Sequence, residues 1–180
     1  MPAWKKLSQK VENVGYRVLT IKRFLMPDGS EHEFTTYGKN DSQDVAVIAI
    51  TRDNKVIIAR QFRAGPERVM DELPGGRADD GEELQEAALR ELAEETGYRS
   101  SNVEYLGFAY RDAYKNSTSN YFIAYDCVKT SDQKLEQGEF VEVITITVKR
   151  LRDNARNGNM TDAVAVLMAD KHLNSLTKSE

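Results

Sequence analysis

Glu91, Glu94 and Glu95 crowd one short stretch of the chain, within a segment EELQEAALRELAEET (82 to 96) that reads as a helix. Strong helix formers run almost throughout it, acids occupy its first turn, and Gly97 stands where a C-terminal cap belongs. Placed at about 100° per residue from Leu84, Ala87 and Ala88 fall at about 300° and 40°, while Glu91, Glu94 and Glu95 fall at about 340°, 280° and 20°. The acids therefore share the small-residue face, whereas Glu83, Glu86 and Arg90 point toward solvent. Carboxylates clustered on a partly buried face repel one another, so they must be protonated, paired with a cation or neutralised by metal. Arg90 precedes Glu91 and stands four residues before Glu94, which lets it orient one carboxylate but not balance all of them. Hard, oxygen-loving Mg²⁺ or Mn²⁺ ions would balance the rest. A solvated charged helix is the plain alternative, and the angles alone do not separate the two.

The spacing separates them. Gly76, five residues, Glu82, seven residues, then Arg90-Glu91-Leu92-Ala93-Glu94-Glu95-Thr96-Gly97-Tyr98 resembles the Nudix box, Gx5Ex7REUxEExGU, where U is a bulky aliphatic residue. Every fixed letter is present; Tyr98 replaces the final aliphatic residue at a position that packs against the fold. The resemblance implies an α/β class fold, a Nudix-type α/β/α sandwich around a mixed β-sheet, and hydrolysis of a nucleoside diphosphate linked to another moiety. It implies two or three Mg²⁺ or Mn²⁺ ions per site, with Glu91 and Glu95 as principal ligands, Glu94 and the Gly75 carbonyl as further ones, and Arg90 as the orienting residue. Glu82 is expected behind these ligands or as a weak one. A pyrophosphate is polyanionic, so an acidic protein needs cations both to hold it and to lower the pKa of the attacking water. A base must take that water's proton. The loop LEQGEFVEV (135 to 143) is similar to the one that carries a glutamate base in the branch cleaving ADP-ribose and nucleotide sugars, which makes Glu139 the first candidate and Glu136 the second.

That branch is also suggested by DELPGG (71 to 76), whose Glu72 is a candidate for substrate binding, and by RQFR (60 to 63), whose Arg63 is the candidate for the diphosphate or distal ribose. Tyr16, or Phe34, could stack on the base; packing on a strand face is as good a reading of either. No Pro follows the box in RDAYKNSTSNY, where strict ADP-ribose hydrolases tend to carry one, and Tyr114 stands in the region where dinucleoside polyphosphate hydrolases carry a Tyr. The expected activity is hydrolysis of nucleoside diphosphate sugars of the ADP-ribose or GDP-mannose type to a nucleoside monophosphate and a sugar phosphate. The rivals are a Nudix hydrolase of dinucleoside polyphosphates or another nucleotide, and a non-catalytic nucleotide-sugar sensor, the latter disfavoured because no acid of the box is lost.

The elements that must position these residues are legible as alternating patterns. YRVLTIKRFLM, PDGS and EHEFTTYG read as an N-terminal antiparallel β-hairpin, and residues 1 to 15 as a polar tail without assigned structure. VAVIAIT reads as a buried central strand, KVIIARQF as its neighbour, and RVMDELP as a short strand stopped by Pro74. VEYLGFAY, STSNYFIAYDCV and EFVEVITITV follow as strands, and TDAVAVLMADKHLN (161 to 174) as one amphipathic helix. A boundary near residue 40 would divide a tail and hairpin, 1 to 40, from a catalytic domain, 41 to 180; by the resemblance, the hairpin is also a homodimer arm.

Composition bounds the rest. The chain has 180 residues and a formal charge of −4, an acidic balance that argues against a nucleic-acid backbone binder. No run is apolar enough for a membrane span, and the first residues lack the apolar core of a secretory signal. The single Cys127 cannot form an internal disulfide, which together with the missing signal makes a cytoplasmic setting the expectation. His32 and His172 have no partner at metal-ligand spacing.

Overall fold

The computed structural model describes Met1 and residues 3 to 177, and the chain divides into two compact units. The first comprises Met1–Gln43 and Tyr110–Thr118. Its strands β1 (Lys5–Val14), β2 (Arg17–Leu25) and β3 (Glu31–Tyr37) form an antiparallel sheet in that order. The hairpin expected from the alternation is β2–β3, with Asp28 Oδ1 accepting from the Ser30 N–H at its turn. The polar tail is a correction: it pairs with β2 over nearly its whole length, from Lys5 opposite Leu25 to Val14 opposite Arg17. Its apolar residues are too widely spaced to signal a strand, and pairing with a neighbour supplies the missing stability. Gly15, at φ +59°, makes the tight reversal between β1 and β2. Trp4, Phe24 and Phe34 cluster on the sheet, with ring centroids 5.7 to 6.3 Å apart. Phe34 is thus packed on a strand face, the second of its two readings.

The second unit comprises Asp44–Ala109 and the chain from Ser119 onward. Its sheet contains β4 (Gln43–Thr51), β5 (Lys55–Arg63), β6 (Arg68–Glu72), β7 (Gly75–Arg77), β8 (Tyr98–Arg99), β9 (Asn102–Ala109), β10 (Thr118–Lys129) and β11 (Val141–Thr147). The order is β11-β5-β4-β10-β8, with β6 beside β5, β7 beside β4 and β9 beside β10. Alternation along the central strands builds two cores. Val45, Val47, Ala49, Ile57, Phe122 and Ala124 pack against helix α1 (Leu84–Thr96) through Ala87, Ala88 and Leu92. Ala46, Ile48, Ile50, Val56, Ile58, Tyr121 and Ile123 face the other way, toward helices α2 (Val148–Arg156), α3 (Ala163–Met168) and α4 (Asp170–Thr177). The result is the expected α/β/α sandwich.

Two differences from the sequence patterns lie on the second face. Helix α2 starts where β11 ends, because Thr147 Oγ1 accepts the Arg150 N–H and caps it, while Val148, Leu151 and Asn154 turn inward. The expected single helix 161 to 174 is two, α3 and α4, which meet at the fully buried Ala169 so that Val166 and Leu173 both reach one core. Cys127 is buried among the α1-side core residues, and burial pushes its thiol up to about 11.

Candidate active site

Helix α1 lies close against the sheet because three of its inward residues, Ala87, Ala88 and Ala93, are small, and this brings its C-terminal acids to the β4–β7 backbone. Gly97 closes the helix in the left-handed region at φ 75°, its N–H donating to the Ala93 carbonyl. Gly75 and Gly76 are required for close approach, since neither adopts a positive φ. A Cβ on Gly75 would lie 2.2 Å from the Val45 carbonyl oxygen, and one on Gly76 would lie 2.4 Å from Glu91 Oε1. Gly75 thus lets β7 pair with β4, and Gly76 makes room for the Glu91 carboxylate against the backbone.

Arg90 gathers the acids more completely than its spacing suggested. Its Nε and Nη2 donate to the two oxygens of Glu82 at 2.9 and 3.0 Å, and its Nη1 to Glu91 at 2.9 Å and to Glu94 at 3.0 Å. Glu82 also accepts the Asp79 N–H at 2.9 Å. Held by the Arg90 guanidinium and that amide, its carboxyl sits at about 2. Glu91, beside the same guanidinium, behaves oppositely: burial raises it, the charges of Glu94 and Glu139 add to that, and Arg90 only partly offsets them. Desolvation outweighs the ion pair for Glu91 because its carboxylate is seated against the Gly76 backbone and takes one Arg90 hydrogen bond, whereas Glu82 takes two from Arg90 and one from the Asp79 amide.

Glu95 is the most strongly perturbed acid. It is 6% exposed, and its Oε2 accepts the Gly75 N–H at 2.9 Å. Burial above all, then the charges of Glu91 and Glu139, push its carboxyl up to about 8. The nearby Arg63 lowers it, but Arg63 is itself engaged, with Nε 2.6 Å and Nη2 2.5 Å from Glu72 Oε2. Glu72 is 1% exposed and accepts from Thr161 Oγ1 on its other oxygen at 2.8 Å.

The candidate bases lie on the segment between β10 and β11. Glu139 is exposed and near enough to Glu91 and Glu95 for its charge to raise both; its Oε2 accepts the Glu136 N–H at 2.9 Å. The Glu136 side chain is exposed on the same turn. Tyr16 lies in the first unit, 89% exposed at the β1–β2 reversal, with the Arg17 guanidinium 5.2 Å from its ring centroid. Tyr114, also there, is exposed. His172 is the partner of Tyr125, Nδ1 to hydroxyl 2.7 Å.

The structure therefore gathers Gly75, Gly76, Glu82, Arg90, Glu91, Glu94 and Glu95 along one side of α1, with Glu139 and the Arg63–Glu72 pair beside them. Among the described residues no three Asp, Glu, His or Cys side chains converge on one point as they stand, because Glu91 and Glu94 turn to Arg90 and Glu95 to the Gly75 amide. The donor set nevertheless suits a hard divalent cation: carboxylate oxygens in excess, buried and mutually repelling, with the nearest guanidiniums already shared. Sequence reasoning missed Thr161 and Gln133, whose Nε2 bonds the Glu95 carbonyl at 2.6 Å. Neither belongs to a spaced motif, and only the fold brings them here.

Comparison with known proteins agrees with this geometry. Residues 42–164 match the family model described as the NUDIX domain. The chain is similar to the methanol dehydrogenase activator of Bacillus methanolicus, 33% identical over 125 residues that cover 68% of each chain. It is likewise similar to an ADP-ribose pyrophosphatase of Bacillus subtilis (strain 168), 36% identical over 107 residues, and spans 58% of that relative's length and of its own. A crystal structure of an ADP compounds hydrolase superposes with a TM-score of 0.81 at 18% identity, covering 97% of this chain and 96% of that one, a likeness of fold. The chain belongs to the Nudix family, and the relatives it resembles there include ADP-ribose pyrophosphatases.

Proposed function

We propose that the protein hydrolyses the pyrophosphate bond of nucleoside diphosphate sugars, of the ADP-ribose and GDP-mannose type, with Mg²⁺ or Mn²⁺. The observation that carries this reading is Glu95, a buried carboxylate held near two other acids, Glu91 and Glu139, and short of cationic charge. Such a group costs stability unless a ligand brings positive charge to it. Glu91, Glu94, Glu95 and the Gly75 carbonyl would hold two or three ions, which when bound would neutralise the diphosphate and acidify a water. Arg90 keeps Glu91 and Glu94 oriented, and Glu82 keeps Arg90 in place. Arg63, anchored by Glu72, offers its outer edge to the diphosphate or the distal ribose. Glu139 takes the proton of the attacking water, with Glu136 the second candidate on the same turn. The water's oxygen bonds to phosphorus as the bridging P–O bond breaks, yielding a nucleoside monophosphate and a sugar phosphate. Tyr16 stacks on the base, for which its exposed ring is suited.

The protein acts as a homodimer through its first unit in this reading; β1 is an edge strand that exposes Leu7, Val11 and Val14, which suits it to a partner surface. No described helix is long and apolar enough to cross a membrane, and the cytoplasm is the setting proposed on the lone, buried Cys127. The test is a panel of ADP-ribose, GDP-mannose, UDP-glucose and diadenosine polyphosphates with Mg²⁺ and Mn²⁺, products identified. Monophosphate plus sugar phosphate, abolished by chelator, is expected; cleavage of the polyphosphates alone, or binding without turnover, overturns the reading. Sedimentation tests the dimer.

A further inference from the structure

The segment 130 to 140 carries the proposed base and has no regular structure, yet it is fastened to the helix that carries the acids. The last carbonyls of any helix lack partners within it. Here the segment supplies them: the Lys134 N–H donates to the Glu94 carbonyl at 2.7 Å, and those of Thr130 and Ser131 to the Gly97 carbonyl at 2.9 and 3.3 Å. The Glu95 carbonyl takes a side chain instead, Gln133 Nε2, at 2.6 Å. The same nitrogen donates its other hydrogen to the Val141 carbonyl at 3.0 Å. Gln133 is half-buried, and reversal of its amide would set an oxygen against two carbonyl oxygens, so the two acceptors fix its orientation. Gly97 is part of the same seam, for a Cβ there would lie 2.1 Å from the Ser131 carbonyl oxygen.

We propose that Gln133 is a positioning residue of the active site: by bridging the Glu95 and Val141 carbonyls it sets the distance between the acid-bearing end of α1 and Glu139. The two anchors are apt, since one is the backbone of Glu95 itself and the other lies two residues beyond Glu139. Between them runs a segment whose other local bonds, Glu139 N–H to the Glu136 carbonyl and Glu136 N–H to Glu139 Oε2, close only its own turn. Without the bridge that turn keeps its shape, and its ends stay tied by the Lys134–Glu94 bond and the pairing of Val141 with Gln61. The span between those ties loses the link that joins both of them and so can shift relative to the acids. A general base displaced by about 1 Å forfeits up to about 100-fold in rate without loss of ground-state binding.

The inference rests on Glu139 as the base, and the test separates the two. Gln133→Met keeps length and bulk but cannot donate, and Gln133→Glu keeps shape but places oxygens where hydrogens were; each is compared with wild type, Glu139→Gln and the double variants, with ADP-ribose and Mg²⁺. Both Gln133 variants are expected to lose about 10- to 100-fold in kcat with KM changed less than about threefold, and to lower the thermal midpoint by only a few degrees, since two half-buried carbonyls lose their donor. In the Glu139→Gln background the same substitutions are expected to add almost nothing, because a base already absent cannot be misplaced. Losses that multiply, or a rise in KM with kcat preserved, overturn the positioning role while leaving Glu139 as base. If Glu139→Gln turns over like wild type, the base assignment fails and this inference with it. If the midpoint falls further, amide hydrogen exchange decides: faster exchange confined to 134 to 140 supports the bridge, and faster exchange throughout α1 overturns it.

Discussion

Replacing Glu95 by Gln should make the metal-free protein more stable at alkaline pH while destroying its activity. The folded protein holds the Glu95 carboxyl at about 8 against an ordinary 4.5, chiefly through burial and then through Glu91 and Glu139. Each unit corresponds to about 1.4 kcal/mol, so keeping this group ionised costs at most about 4 to 5 kcal/mol. Water entry and small movements on ionisation reduce what is observable, and about 1 to 3 kcal/mol is expected at pH 8. The sign follows from proton binding: a carboxyl raised by folding binds its proton more tightly folded than unfolded. Its contribution is therefore most favourable below about pH 4.5 and is lost as pH rises toward about 8. Glutamine is neutral throughout and its Oε1 can still accept the Gly75 N–H, so the variant escapes that loss. Denaturant unfolding of both proteins in chelator, at pH 5 and pH 8, measures the difference. The variant should gain on wild type far more at pH 8 than at pH 5, and added Mg²⁺ should stabilise wild type and leave the variant unmoved. A variant no more stable than wild type at pH 8, or one with the same gain at pH 5, would refute the reasoning.

The two glycines of β7 should respond differently to alanine. At Gly75 the new Cβ meets the Val45 backbone, so β7 must part from β4, at a cost of about 2 to 4 kcal/mol in unfolding free energy. At Gly76 it meets only the end of the Glu91 side chain, which can swing away; stability should change by less than about 1 kcal/mol while Mg²⁺ titration and turnover both weaken severely. Glu139→Gln should lower kcat by about 10² to 10³ with substrate affinity by calorimetry retained, and equal loss on Glu136→Gln alone would move the base to that residue. Arg63→Met strands the buried Glu72 carboxylate and should destabilise the fold by about 2 to 4 kcal/mol, seen as a fall in denaturant midpoint that Arg63→Lys partly restores.

The Nudix spacing was legible because it is local: residues three and four apart on one helix must share a face, whatever the fold around them. The same holds for β4, β5 and β10, whose short apolar runs, rich in β-branched and aromatic residues, read as strands and are buried on both sides. What depended on partners was not legible. β1 has a polar, weakly alternating sequence and exists because β2 offers it a ladder. α2 follows directly from a strand with only Thr147 to announce it, and α3 and α4 part at Ala169 because one core must receive both. Within the site, residue types pointed to metal and base, but not to which carboxylates Arg90 would hold, which one burial would raise, or how Gln133 joins α1 to the Glu139 turn. Periodicity along a chain reports which residues share a face; desolvation and long-range hydrogen bonds depend on what that face meets, and only the tertiary structure decides that.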